Sequence, residues 1–143
     1  MKIKLIAIGK TDDRYIAEGI EVYAKRIMHY LPFEMELIPD IKNLGKKDVI
    51  SQKDKEGELI LKKIKKGEQL ILLDEKGKMM TSVQFSNYCV QKMNVGNKLL
   101  VFVIGGPFGF SEKVYEAAND MISLSGMTFS HQLVRLIFTE QLY

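Results

Sequence analysis

Leu99 to Ile104 (LLVFVI) is a run of six apolar residues with no polar position on either alternating face, and three glycines follow within Gly105–Gly109. A strand with one wet side alternates; a run without alternation must be covered on both sides, the condition of a strand inside a parallel sheet. The glycines fall where such a strand ends. In open α/β sheets ligands sit just beyond the carboxyl ends of strands, and backbone without side chains lets a ligand approach closely. This one stretch therefore predicts an α/β fold with a covered sheet, and a small-molecule site at one rim of it.

The rest of the chain supplies strands and helices in turn. Lys2 to Ile8 reads as a first strand that leaves through Gly9. Asp12 or Asp13 is placed to cap a helix on which Ile16, Ile20, Tyr23, Ile27 and Tyr30 recur at helical spacing, and Pro32 stops it. Phe33 to Ile38 (FEMELI) alternates apolar and acidic residues, as a strand near a sheet edge does, and a polar loop starts at Pro39. Ser51 through Lys65 reads as a helix with Ile50 or Leu59, Ile60 and Ile64 toward the core, ended by Gly67. Gln69 to Asp74 is a further buried strand. Glu75-Lys76-Gly77-Lys78 then predicts a turn before a helix that Thr81 or Ser82 caps, with Phe85, Tyr88, Cys89 and Met93 on its inner side. After the glycines, Ser111 with Glu112 opens a helix through Ala118, Met121 to Leu124 forms a short strand, and Ser130 to Tyr143 a final helix. The order βαβαβαβαβα predicts a parallel sheet of about five strands flanked by helices.

At 143 residues the chain has the size of a single domain. No apolar stretch approaches the roughly 20 residues that cross a bilayer, and the opening MKIKLIAIGK is followed by no small-residue cleavage site. A cytoplasmic chain without a membrane span is expected. The lone Cys89 excludes an internal disulfide, and packing on a helix is its ordinary fate. A net charge of +3 is too small to announce a nucleic-acid partner by itself. Between Lys42 and Lys66, nine lysines stand against Asp48, Asp54, Glu56 and Glu58, an excess able to attract a phosphate backbone but equally the composition of a solvated helix face. No HExxH motif, paired cysteines or clustered histidines occur, so no metal is expected.

Three turns lie at predicted carboxyl ends of strands: Leu73 to Gly77, Gly105 to Gly109, and Leu124 to Phe129. They should open on one rim, where backbone amides and carbonyls can bond a purine edge while Leu73, Leu124, Met127 and Phe129 supply apolar walls. The spacing of Gly105-Gly106-Pro107-Phe108-Gly109 is neither a dinucleotide fingerprint nor a Walker loop, which disfavours pyrophosphate cradling. Asp74 and Glu75 at a strand end have the surface ion pair as their common fate. In the last helix His131 and Arg135 are four apart, with Thr139 continuing their face, while most of the circumference is apolar. Such a helix must be buried nearly all round, by its own domain and by a second subunit. A His131–Arg135 strip facing a pocket would contact substrate or phosphate; turned elsewhere, it would cap a carbonyl or pair across an interface.

The segments IGGPFGFSE, LSGMTFSHQLVRLIFTEQLY, KIKLIAIGK and LDEKGK together resemble the ribosomal RNA large-subunit methyltransferase H family, along essentially the whole chain. That family is similar to SPOUT-class methyltransferases. The resemblance implies S-adenosyl-L-methionine as methyl donor and transfer to N3 of a pseudouridine in large-subunit ribosomal RNA, within the assembled ribosome. It implies donor contacts from Leu73, Gly105, Leu124, Ser125, Gly126, Met127, Thr128 and Phe129, a carboxyl-terminal trefoil knot, and a homodimer with its sites at the subunit interface. Family members continue past Glu140-Gln141-Leu142-Tyr143 with a short tail bearing a Tyr-His pair. The resemblance therefore implies a single domain over residues 1–143 with a complete donor pocket, lacking the tail thought to close over donor and target. No residue stands out as general base; His131 and Arg135 are candidates to position the target base. Two alternatives stay open: a noncatalytic RNA- or ribosome-binding protein, and a doubly wound nucleotide-binding oxidoreductase. The latter requires a glycine fingerprint after the first strand, where only Gly9-Lys10 stands.

Overall fold

Over residues 1–39, 49–106 and 109–143, which the computed structural model describes, strands and helices alternate throughout. They are β1 (Lys2–Ile8), α1 (Arg14–Ile27), β2 (Phe33–Ile38), α2 (Val49–Lys62), β3 (Gln69–Met79), α3 (Ser82–Asn94), β4 (Leu99–Ile104), α4 (Glu112–Ala117), β5 (Asp120–Ser123) and α5 (Leu133–Leu142). The strands form one sheet in the order β2-β1-β4-β3-β5, and every pairing is parallel. Among the described residues no helix is long and apolar enough to cross a membrane.

The unbroken apolar strands have cover on both sides. Leu5, Ile71, Leu100 and Phe102 point into one core with Ile27 of α1, Phe85 of α3 and Phe138 of α5. Their neighbours Ile6, Leu70, Leu72, Val101 and Val103 point into the other, with Ile60 of α2 and Val114 of α4. Period-2 alternation thus sends successive side chains to opposite faces, and each face is roofed by helices. Helix caps follow the sequence signals in places. Thr81 Oγ1 accepts from the Gln84 N–H at 3.1 Å while Gln84 Oε1 accepts from the Thr81 N–H at 2.8 Å, and Ser111 Oγ accepts from Val114 N–H.

Several expectations need correcting. Asp13 occupies the N-cap of α1 without a side-chain cap bond. Tyr30 lies past the end of α1 and is exposed, and Ile50 points out from the first turn of α2, so their apolar spacing extends beyond the buried stripe. Met93, placed inward by spacing, is also exposed. The bend predicted at Glu75–Lys78 does not end its strand. Ile122 of β5 pairs with both Leu73 and Lys78, so residues 74–77 bulge outward and β3 resumes to Met79. Gly77 sits where this bulge passes β5; a Cβ there would lie 2.6 Å from Ile122 N. The final helix begins at Leu133 rather than Ser130. Of the lysine-rich stretch and the glycine turn, Lys42, Lys46, Lys47, Asp48, Pro107 and Phe108 lie outside the described residues.

The C-terminal path positions the site. β5 is the edge strand beside β3, yet the Gln132 side chain accepts from the Asp12 N–H (2.9 Å) and donates to Lys10 O (3.2 Å), just past the end of β1. Residues 124–132 must therefore run along the carboxyl rim, past the ends of β3 and β4, before α5 packs beside α1. The two helices approach closely enough that a Cβ on Gly19 would lie 2.8 Å from Leu136 Cδ1.

Candidate functional site

This crossing encloses a cleft of about 380 Å³. Its floor is β3 at Leu73, where the 74–77 bulge begins, and the end of β4 at Ile104 and Gly105; its walls are Phe110, Leu124, Phe129 and Val134; Asp74, Ser125, Thr128 and His131 add polar groups. The volume falls within the roughly 300–1,000 Å³ of ligand pockets, and the lining is mixed, with Lys53, Glu75, Lys76 and Ser123 adding further charged and polar groups to the apolar walls. Of the eight residues implied as donor contacts, seven line this cleft, and Gly126 lines an adjoining depression that shares Ser125, Met127 and Thr128 with it. The two strand-end turns and the bulge within β3 thus meet at one cleft. Met127 differs from expectation: at 77% exposed it stands at the mouth rather than in the wall.

The Leu124–Phe129 segment is held by its own polar groups. Ser123 Oγ donates to Ser125 O at 2.9 Å, and Ser125 Oγ accepts from the Met127 N–H at 2.9 Å. At Gly105 a Cβ would meet the Phe110 ring at 3.1 Å, and at Gly106 it would lie 2.8 Å from Glu56 Oε1. A side chain at either glycine would crowd what now packs against bare backbone.

Two acidic and basic groups are not where spacing placed them. Asp74 makes no surface ion pair among the described residues; its Oδ2 accepts from Tyr115 Oη at 2.5 Å and its Oδ1 from the Lys76 N–H at 2.8 Å. Burial, reinforced by the hydrogen bond to Asp74, pushes the Tyr115 phenol up to about 12. No sequence signal marked Tyr115, because Asp74 lies 41 positions away.

His131 and Arg135 part company. His131 precedes α5, is exposed, and lines the cleft. Arg135 is fully buried, and Thr139, also buried, donates from Oγ1 to Arg135 O at 2.6 Å. The Arg135 guanidinium donates from Nη2 to Ile8 O at 2.6 Å and from Nη1 to Gly9 O at 2.9 Å and Thr11 Oγ1 at 3.1 Å. It clasps the exit of β1 and takes no part in the cleft wall. Gly9 accommodates that exit with φ of 80°, in the left-handed region.

An open parallel sheet with one ligand-sized cleft at the carboxyl rim has the architecture in which α/β proteins bind small molecules. The family described as "Predicted SPOUT methyltransferase" matches residues 1–143. Relatives named ribosomal RNA large subunit methyltransferase H align with all of the chain and 91% of their own length: one from Parabacteroides distasonis at 62% identity, one from Flavobacterium johnsoniae at 58%, one from Bacteroides thetaiotaomicron at 52%. The chain belongs to the SPOUT methyltransferase family, within its ribosomal RNA large subunit methyltransferase H group. It is accordingly a methyltransferase by family, and the oxidoreductase alternative falls away.

Proposed function

We propose that this chain transfers a methyl group from S-adenosyl-L-methionine to N3 of a pseudouridine in large-subunit ribosomal RNA, in the assembled ribosome, as a cytoplasmic homodimer. The observation that carries this reading is the convergence of Leu73, Gly105 and the Leu124–Phe129 segment on a single 380 Å³ cleft in a chain of this family. The relatives' name supplies the RNA substrate.

The cleft suits an adenosyl ligand in its chemistry. Leu73, Ile104, Leu124 and Phe129 offer apolar surface to a purine, and the bare backbone at Gly105 offers polar groups for its edge. Bound there, the donor supplies an electrophilic methyl on a sulfonium. The chain contributes positioning: Ser123 and Ser125 stiffen the wall against which two reactants are held in line. His131, exposed at the mouth, is the candidate to meet the incoming base; Arg135 acts at a distance by holding the rim segment in place.

The knot and the dimer belong to the same proposal. Crossing of residues 124–132 past the ends of β3 and β4 to reach β1 supports a threaded C-terminus. Leu133, Leu136 and Ile137 of α5 remain only half-buried, beside exposed Tyr143, which supports a second copy as their cover. Calorimetric titration of S-adenosyl-L-methionine, followed by tritiated methyl transfer to ribosomes lacking the modification, tests the reading. Micromolar affinity and RNA-borne label are expected on the order of typical enzyme constants. Absence of donor affinity would sink it, and affinity without transfer would favour the noncatalytic binder. Light scattering checks the dimer.

A further inference from the structure

Asp74, the first residue of the bulge in β3, is held at both of its carboxylate oxygens. One carboxylate oxygen is fixed by the turn's own Lys76 N–H, the other by the Tyr115 hydroxyl from α4. Tyr115 is itself locked, edge-on to Phe110 at 5.7 Å between centroids, with the Lys76 ammonium 5.8 Å from its ring centre. The serine hydroxyls nearby are engaged within their own loop. A carboxylate offers about four acceptor positions, and two of Asp74's are used among the described residues. This half-buried, immobilised anion on the cleft wall therefore keeps capacity for further donors.

We infer that Asp74 recognises the methyl donor, accepting hydrogen bonds from its polar hydrogens, and that Tyr115 is the positioning residue that fixes Asp74 for this task. The inference rests on the proposed use of the cleft for an adenosyl donor. Three groups of such a donor carry hydrogens a carboxylate can accept: the adenine amino group, the ribose hydroxyls and the α-ammonium of its amino-acid arm. The side chains of Asp74 and Tyr115 act as a unit, so their substitutions should not add.

Calorimetry with S-adenosylhomocysteine and 5′-methylthioadenosine separates the possibilities. Asp74→Asn, nearly isosteric, should weaken S-adenosylhomocysteine binding by roughly 10- to 100-fold, the range for a hydrogen bond to a charged group. Tyr115→Phe should weaken it by roughly 3- to 10-fold, and the double variant should match Asp74→Asn within about twofold. An equal loss against methylthioadenosine assigns the contact to the nucleoside, its ribose hydroxyls or adenine amino group; a loss confined to S-adenosylhomocysteine assigns it to the ammonium. As a spectroscopic signature, Asp74→Asn should let the Tyr115 phenol ionise at lower pH, read as the absorbance difference from the same protein carrying Tyr115→Phe.

Affinity within twofold of wild type in Asp74→Asn would overturn the assignment. Multiplying penalties in the double variant, or an unmoved Tyr115 titration, would overturn the positioning role. If wild type itself bound neither ligand, the donor reading of the cleft would fail, an outcome distinct from normal binding that Asp74→Asn leaves unchanged.

Discussion

Replacing Arg135 with Met removes a buried clasp without emptying its volume. The guanidinium is fully buried and donates to Ile8 O, Gly9 O and Thr11 Oγ1 at the exit of β1, and from Nε to His131 O at 3.3 Å. A buried acceptor deprived of its donor costs about 1–3 kcal/mol, so the Ile8 and Gly9 carbonyls together place about 2–6 kcal/mol at stake. Removing the charge returns part of what its burial cost, which leaves a net loss of about 2–4 kcal/mol. Arg135→Lys should be no milder. Its ammonium must still be buried, but it lacks the planar fork that reaches two carbonyls and a hydroxyl together. Urea unfolding at fixed protein concentration measures both: with m of about 1–3 kcal/mol/M, the midpoint should fall by roughly 0.7–4 M. A Met variant within about 0.5 kcal/mol of wild type, or a Lys variant clearly more stable than Met, would refute the reasoning.

Gly77→Ala should lower Tm and donor affinity together, because the new Cβ would meet the β5 backbone at 2.6 Å; overpacking of this kind costs about 1–3 kcal/mol, and an unchanged melting curve would contradict the close approach. Cys89 should alkylate far more slowly than a free cysteine peptide at pH 8, since burial pushes its thiol up to about 11; equal iodoacetamide rates would contradict this. Hydrogen bonds from Lys4 and Lys63 hold Glu36 below its ordinary value of 4.5, so its stabilisation is present above that pH and is lost as pH falls through the lowered folded value. Glu36→Gln should therefore flatten the acid limb of the Tm profile below pH 4.5, and superimposable limbs would reject it. Lys53 and Lys76 line the cleft and ion-pair with no carboxylate among the described residues. Neutralising either to Gln should reduce the slope of log K against log salt for ribosomal RNA binding by about 0.7–0.9, and an unaltered slope would exclude a phosphate contact.

What the sequence made legible is what short-range physics decides. The apolar run of β4, the alternation in β2 and the glycine exit of β1 give strands whose bounds coincide with those observed, because covering both faces of a strand leaves a local trace. The Thr81 cap is legible because its partner is Gln84, three positions on. The outward bulge at residues 74–77 was not, since turn residues mark a bend but cannot tell that Ile122 will pair on both sides of it. Arg135 illustrates the same limit. Helical spacing puts it on one face with His131, yet its partners at Ile8 and Gly9 lie 127 and 126 positions upstream, and they decide that this face is core. Exposed Tyr30, Ile50 and Met93 continue an apolar rhythm past the surface their helices bury.

The cleft joins these two kinds of information. Its individual turns are written locally, in glycines and short polar residues at strand ends, but none of them makes a pocket alone. Enclosure requires the chain to travel from the β5 edge past β3 and β4 to β1, and the anchors at its far end are long-range: Gln132 to Lys10 and Asp12, and Arg135 to Ile8, Gly9 and Thr11. Loosening either anchor would free the wall that carries Leu124 and Phe129 while leaving the sheet intact. If stability at Arg135 and ligand affinity at Leu124 are two readings of one closure, Arg135→Met should weaken donor binding as well as lower the urea midpoint, although Arg135 has no place in the cleft.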